Sequence, residues 1–135
     1  MVRLLITAAC LLMVSCSLKP DFTLIRGAVD EFHHRLEAQQ DELIFTEATP
    51  EFQKSMSPQT CHTFFARIRR KFGTLSSSQQ TGFRVNHTLG GTFVDAQYRT
   101  KFEKGEADEL FTWRIQHERA HLVGYSVNSP LLLTD

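Results

Sequence analysis

Six histidines are the residues of this sequence best suited to bind a metal ion. His33 and His34 are adjacent in a predicted helix, so their side chains point about 100° apart and cannot both bind one ion. His117 and His121 lie on either side of a predicted turn, next to Glu118, and could meet across it. A structural zinc site needs a third and a fourth ligand. No such ligands occur at a fixed spacing, so the sequence predicts no metal site.

A second set of side chains could perform acid–base catalysis inside a buried pocket, where burial shifts the pKa of titratable groups. Alternation along a predicted strand places Tyr98 on its inner face and Asp95 on its outer face. His87 shares a face with apolar neighbours, so we expect it in the interior, either as a hydrogen-bonded core histidine or as a general base. Tyr125 either joins the pocket or stabilises the last strand. With an inward Trp113, the candidate pocket residues are His87, Tyr98, Trp113 and Tyr125.

Other chemistry has little support in the sequence. Nucleophile-elbow, phosphate-loop, HExxH and CxxC motifs are all absent. The chain has 15 basic and 15 acidic side chains, so we expect no charge-driven binding to nucleic acid. Cys61 lies on the apolar side of a predicted helix and should be a small buried hydrophobe that forms no disulfide. We therefore expect no cofactor, and an enzyme is not the favoured interpretation.

The elements that must position these residues begin with a predicted antiparallel sheet over residues 81–129. Apolar and polar residues alternate along 92–103 and 110–116, which indicates strands with one buried face. Turns are predicted at Gly90 and Gly91, at Lys104 and Gly105, and at residues 117–119; glycine adopts the positive φ that tight hairpins require. Strands at 83–89 and 120–129 complete the sheet. Residues 75–80, rich in Ser and Gln, are predicted to be a linker.

Helical periodicity dominates the chain before Gly73. Apolar residues at steps of three and four predict a helix that begins after Asp21 and runs to about Gln40. Residues 41–46 and 50–54 predict two short helices. Ser57 and Pro58 mark the start of a fourth helix, and Gly73 marks its end. The predicted fold class is therefore α+β, with N-terminal helices packed on one face of a curved four-stranded antiparallel meander and phenylalanines from both layers filling the core.

The N-terminal segment has the features of an export signal. Arg3 precedes a mostly apolar stretch at residues 4–14, which is shorter than the roughly 20 residues that a membrane-spanning helix needs. Residues 12–16, LMVSC, resemble the lipobox of bacterial lipoproteins. This resemblance implies cleavage before Cys16 and a lipid on its thiol, which would anchor the protein to a membrane. A plain signal peptide cleaved near Ser17 is the alternative.

The lipobox interpretation divides the chain into a signal peptide at 1–15, a lipidated tether at 16–21 and one domain at 22–135. In bacterial lipoproteins the residue after the lipidated cysteine helps to sort the product. Ser17 in that position, instead of Asp, implies retention at the outer membrane, facing the periplasm. The expected localisation is therefore the bacterial cell envelope.

Four segments of the domain resemble a family of small exported bacterial domains of unknown function, many of them lipoproteins. The segments are RKFG at 70–73, GTFV at 91–94, FTWR at 111–114 and LVGYSVNS at 122–129. That family is similar in fold to the cystatin-like superfamily, which includes nuclear transport factor 2. The resemblance covers residues 22–134 and implies this fold. It implies no activity, because the superfamily includes isomerases, dehydratases, cyclases, assembly modules and carrier proteins.

Two functions fit these observations. The first is a membrane-anchored periplasmic binding or assembly domain without catalysis, which would bind a protein partner or a second copy through the polar outer face of the sheet. The second is a small-molecule-binding or isomerase-like pocket enzyme. That function requires a cavity of a few hundred cubic ångströms with at least two convergent polar groups.

Overall fold

The computed structural model describes residues 22–134. The predictions for the signal peptide, the tether and the lipidated Cys16 lie outside these residues. Within the described range, none of the helices combines the length and the apolar character needed to cross a bilayer.

Four helices form the first half of the domain. They are α1 (Phe22–Glu37), α2 (Asp41–Thr46), α3 (Pro50–Ser55) and α4 (Pro58–Phe72). Both predicted ends of α4 are confirmed: the Ser57 hydroxyl accepts a hydrogen bond from the Thr60 N–H at 3.1 Å, and Gly73 ends the helix with φ of 74°. Helix α1 ends before the predicted Gln40, because Gln39 adopts a positive φ of 59° that does not continue a helix.

The second half is an antiparallel sheet with the strand order β1-β2-β3-β4. The strands are β1 (Leu75–Thr88), β2 (Gly91–Phe102), β3 (Gly105–Gln116) and β4 (Arg119–Asn128), followed by a 3-10 turn at Pro130–Leu133. The predicted α+β class, with helices followed by a four-stranded meander, is confirmed.

The prediction of a linker at residues 75–80 is wrong, because this segment is the first part of β1. It pairs with the end of β2, where Leu75 lies opposite Phe102 and Gln80 lies opposite Tyr98. Ser and Gln side chains are tolerated here because β1 is an edge strand and much of this segment is exposed. Backbone hydrogen bonds to β2, not side-chain polarity, decide its structure.

The core lies between the inner face of the sheet and the helices. The alternation predicted for β2 and β3 is confirmed: Val94, Ala96 and Phe111 are fully buried. They meet the apolar faces of α1 and α4, which contribute buried phenylalanines; the rings of Phe32 and Phe111, for example, lie edge to face with centroids 5.1 Å apart.

A β-bulge in β4 decides which of its side chains reach this core. Phe111 pairs with Tyr125, whereas Trp113 pairs with Leu122, so one extra residue is inserted in β4. Strict alternation would send Leu122 and Tyr125 to opposite faces, because they are three residues apart. The bulge turns both toward the helices.

Candidate functional site

A buried acid, Glu109, is the centre of a polar cluster between the helices and the sheet. It lies on β3 in the inward row with Ala107 and Phe111, and its side chain is 0% exposed. Removing a carboxylate from water costs several kcal/mol unless hydrogen bonds and charges compensate for the lost hydration. Whether the folded state is stable with Glu109 buried therefore depends on the groups that surround its carboxylate.

Three donors surround the Glu109 carboxylate. Its Oε1 accepts from His33 Nε2 at 2.8 Å and from the Thr100 hydroxyl, and its Oε2 accepts from the Tyr125 hydroxyl at 2.5 Å. Because the Thr100 hydroxyl donates its proton to Glu109, the Ser78 hydroxyl at 3.0 Å must donate to Thr100. We call Glu109, His33, Thr100 and Tyr125 the Glu109 cluster. It ties α1, β2, β3 and β4 together at one point.

Burial keeps the tyrosines of the inner face protonated. The pKa of Tyr125 is raised well above its ordinary value, first by burial and then by the negative charge of Glu109 and the hydrogen bond to it. The pKa of Tyr98 is also raised, mainly by burial, and its hydroxyl lies 3.5 Å from Gln80 Oε1. Both phenols are therefore donors, and neither is suited to act as a base.

The sequence analysis missed Glu109 and the role of His33. It started the third strand at residue 110 and treated His33 only as a metal ligand. Two signals could have found the pair. The inward alternation of Trp113 and Phe111, extended by two residues, reaches Glu109. In α1, His33 is four residues after Val29 and three before Leu36, so it shares their buried face.

A groove of about 480 Å³ lies between α1, the α2 segment and β4. Its floor is apolar and is made by buried side chains: Phe32, Ile44, Ala48, Trp113 and Leu122. The indole of Trp113 stacks on Phe111 with the ring planes 11° apart, which fixes its position. None of the four residues of the Glu109 cluster lines the groove.

Charged side chains form the rim of the groove. On the helical side, Arg35 binds two carboxylates: its Nε is 2.9 Å from Glu31 Oε1 and its Nη1 is 2.6 Å from Glu47 Oε2. Burial acts to lower the pKa of Arg35, but the hydrogen bonds and charges of these glutamates outweigh it and the pKa is raised. On the β4 side lie Arg119, which is exposed, and His121, whose Nδ1 is 3.4 Å from the Glu47 carbonyl oxygen.

The structure separates the predicted pocket residues. The interior placement of His87 is wrong: its side chain is exposed and its Nδ1 lies 3.1 Å from Thr92 Oγ1. His87 does have inward parity, but this end of the β1–β2 hairpin is not covered by helices, so its inner face meets water. Tyr98 and Tyr125 both contact Phe111, with ring centroids 5.8 and 5.0 Å away. Of the four candidates, Trp113 lines the groove.

The surroundings of Cys61 and Asp41 suit a structural role. Cys61 is buried, as predicted, and burial raises the pKa of its thiol to about 11, with the charge of Asp41 adding to the effect. Asp41 in turn accepts bonds from the Arg69 guanidinium at 2.6 and 2.8 Å. Within residues 22–134, no three His, Cys, Asp or Glu side chains are grouped to hold a metal ion.

The outer face of the sheet is polar, and its charges pair within the face. Arg84 binds Asp95 at 2.9 Å, and Arg99 binds Asp108 at 3.0 Å. A second depression, of about 550 Å³, lies on this face around Leu110, which is 36% exposed.

Comparisons with known proteins support the fold and do not identify a family. No family model matches the sequence, and no curated protein matches it. Among solved structures, the chain is similar to Bd1075 of Bdellovibrio bacteriovorus, with a TM-score of 0.50 and 9% sequence identity. The match covers 77% of this chain, which spans about 40% of the length of that one. At this identity the likeness shows the fold alone: helices followed by a four-stranded antiparallel sheet.

Proposed function

We propose that this chain is a bacterial lipoprotein, anchored by Cys16 to the outer membrane and facing the periplasm, whose domain binds a ligand or partner without catalysing a reaction. The observation that carries this proposal is the contrast between an open groove of about 480 Å³ and a carboxylate that is 0% exposed. The groove is accessible and has an apolar floor with a charged rim, which suits binding. Glu109, the acid best suited to catalysis, is buried and does not line the groove.

We further propose that the fold is of the cystatin-like type, which includes nuclear transport factor 2. The support is the resemblance of the four sequence segments together with the arrangement of elements, in which helices pack on the inner face of a β1-β2-β3-β4 meander. An experimental structure whose strands connect in another order would contradict this assignment.

The lipid anchor is tested by labelling cells with a clickable fatty acid. Cys16→Ser should abolish the label and release the protein from the membrane fraction, because the acylated thiol is lost. Cys10→Ser is the matched control, since Cys10 lies in the same N-terminal segment and should keep both label and membrane association. Equal labelling of Cys16→Ser and the parent chain would refute the anchor.

The outer sheet face is the proposed surface for a protein partner or a second copy. Leu110 supplies an exposed apolar centre, and the ion pairs around it would form the polar rim of an interface. Light scattering after size exclusion, on the 17–135 chain at tens of micromolar, should show a dimer if the partner is a second copy. Leu110→Lys should then restore the monomer. A parent chain that is entirely monomeric contradicts self-association.

An isomerase-like enzyme is the second candidate, and the observation that favours it is the hydrogen-bonded set of Glu109, His33 and Tyr125. These are residue types of acid–base catalysis. Catalysis would require the helices to open, because the Glu109 and His33 side chains are 0% and 6% exposed. A small-molecule ligand that shifts the NMR signals of the His33 ring, with no shift at Trp113, would favour this candidate over binding in the groove.

A further inference from the structure

The floor of the groove contains a hydrogen-bond donor that the protein does not satisfy. Trp113 is 5% exposed, and its indole N–H has no acceptor among residues 22–134. Buried donors are nearly always paired, because an unpaired one destabilises the fold. The indole nitrogen is itself buried beneath the surface of the groove, so a ligand seated on this floor would contact the apolar ring and not the N–H.

The two walls of the groove carry opposite charge. On the helical wall, two carboxylates, Glu31 and Glu47, share one guanidinium, so this wall has an excess of one negative charge. Both carboxylates are about half exposed, with 55% and 49% of the side chain accessible. On the β4 wall, the exposed guanidinium of Arg119 forms no ion pair or hydrogen bond with any described residue, so it is free to bind an anion.

We propose that the groove binds a short apolar peptide with free ends, that is, a zwitterion with an ammonium and a carboxylate. Its apolar side chains would lie on Phe32, on Leu122 and on the ring of Trp113. Its ammonium would face Glu31 and Glu47, and its carboxylate would face Arg119. The volume of about 480 Å³ lies within the usual range of small-ligand pockets. This inference deepens the proposed binding function and rests on it.

Trp113 also provides the assay, because it is the one tryptophan of the chain. The full chain, purified in detergent, is titrated with leucyl-leucine while tryptophan emission and the heat of binding are recorded. Two blocked analogues test the charges: N-acetyl-leucyl-leucine lacks the ammonium, and leucyl-leucine amide lacks the carboxylate. We expect saturable binding of leucyl-leucine and at least tenfold weaker binding of each analogue. Absence of both an emission change and heat, or equal binding of all three compounds, would overturn the inference.

Single substitutions assign each end of the ligand. Arg119→Gln should weaken leucyl-leucine at least tenfold and leave the amide unchanged, because the amide has no carboxylate to lose. Glu31→Gln should weaken leucyl-leucine and leave the N-acetyl analogue unchanged. Arg70→Gln, at an exposed position of α4 that does not line the groove, is the matched control and should change nothing. If Arg119→Gln weakens the amide as much as leucyl-leucine, the assignment of the carboxylate to Arg119 is wrong.

The neutral dye N-phenylnaphthylamine distinguishes a failure of the peptide inference from a failure of the proposed binding function. If the dye accepts energy from Trp113 and no dipeptide binds, the peptide inference fails and the binding groove stands. If neither compound binds, both fail.

Discussion

The Glu109 cluster and the groove use similar residue types in opposite ways. Each contains a histidine, at least one glutamate and aromatic rings. In the cluster, both carboxylate oxygens of Glu109 accept hydrogen bonds and the side chain is 0% exposed. In the groove, the Arg119 guanidinium is exposed and forms no ion pair or hydrogen bond with any described residue.

The difference shows that residue type alone does not mark a site in this protein. A buried polar network whose members are all satisfied stabilises one arrangement of helices and strands. An accessible groove with unpaired groups retains the capacity to bind something else. The proposed function therefore gives the acid–base residues of the cluster a structural role and the groove the role in recognition.

The largest effect should follow from Trp113→Ala, which removes the floor of the groove and its stack on Phe111. Deleting a buried aromatic side chain costs about 3 to 5 kcal/mol of the free energy of unfolding. Urea denaturation followed by circular dichroism measures this loss. A variant as stable as the parent chain would mean that Trp113 is not part of the core, and the floor would have to be reassigned.

A smaller loss is expected for Glu109→Gln, because the amide cannot accept from all three donors and leaves at least one of them unpaired. The expected decrease in the free energy of unfolding is about 1 to 3 kcal/mol. Asp108→Asn is the matched control: its pair with Arg99 is exposed on both sides, and such pairs contribute about 0.2 to 1 kcal/mol. Equal losses for the two variants would show that the Glu109 cluster is no more important than a surface ion pair.

The smallest effect depends on pH and concerns Tyr125. Its pKa is raised in the fold, so above about pH 10 the unfolded chain loses a proton that the folded chain keeps. Stability should therefore fall with rising pH, by up to about 1.4 kcal/mol per pH unit, until the pH passes the folded pKa. Tyr125→Phe should be less stable than the parent chain at neutral pH, and the gap should narrow above pH 10.

Urea denaturation from roughly pH 8 to 11 measures this trend. Tyr98→Phe is the control, since the pKa of Tyr98 is also raised and Tyr98 lies opposite Glu109 in the sheet, but its hydroxyl lies near Gln80 and is not hydrogen-bonded to Glu109. A gap between Tyr125→Phe and the parent chain that stays constant with pH would contradict the burial of the phenol and its bond to Glu109.

Patterns local in the sequence predicted most of the fold. Helical spacing and the Ser57 and Gly73 signals placed α4, and alternation placed the inner faces of β2 and β3. These predictions succeeded because caps and periodicity act over a few residues. The composition of residues 75–80 predicted a linker, since the pairing of this segment with residues 98–102 is not visible in its own residues.

The candidate site was less predictable, because its parts come from distant points of the chain. His33 and Glu109 are 76 residues apart, and nothing near either residue indicates the other. The bulge that brings Tyr125 and Leu122 to one face has no clear sequence signal. His87 shows the reverse case. Alternation along the strand correctly predicted that its side chain faces inward, but the prediction that it is buried was wrong. Whether helices cover that end of the sheet is a property of the whole domain.

By itself, the sequence determined the order of the helices and strands and the apolar face of each, since backbone propensity and periodicity are local. Tertiary structure decided which polar groups are buried and which remain accessible to solvent. That choice depends on where α1 crosses the sheet, because the helix covers Glu109 completely and leaves Arg119 exposed beside a groove.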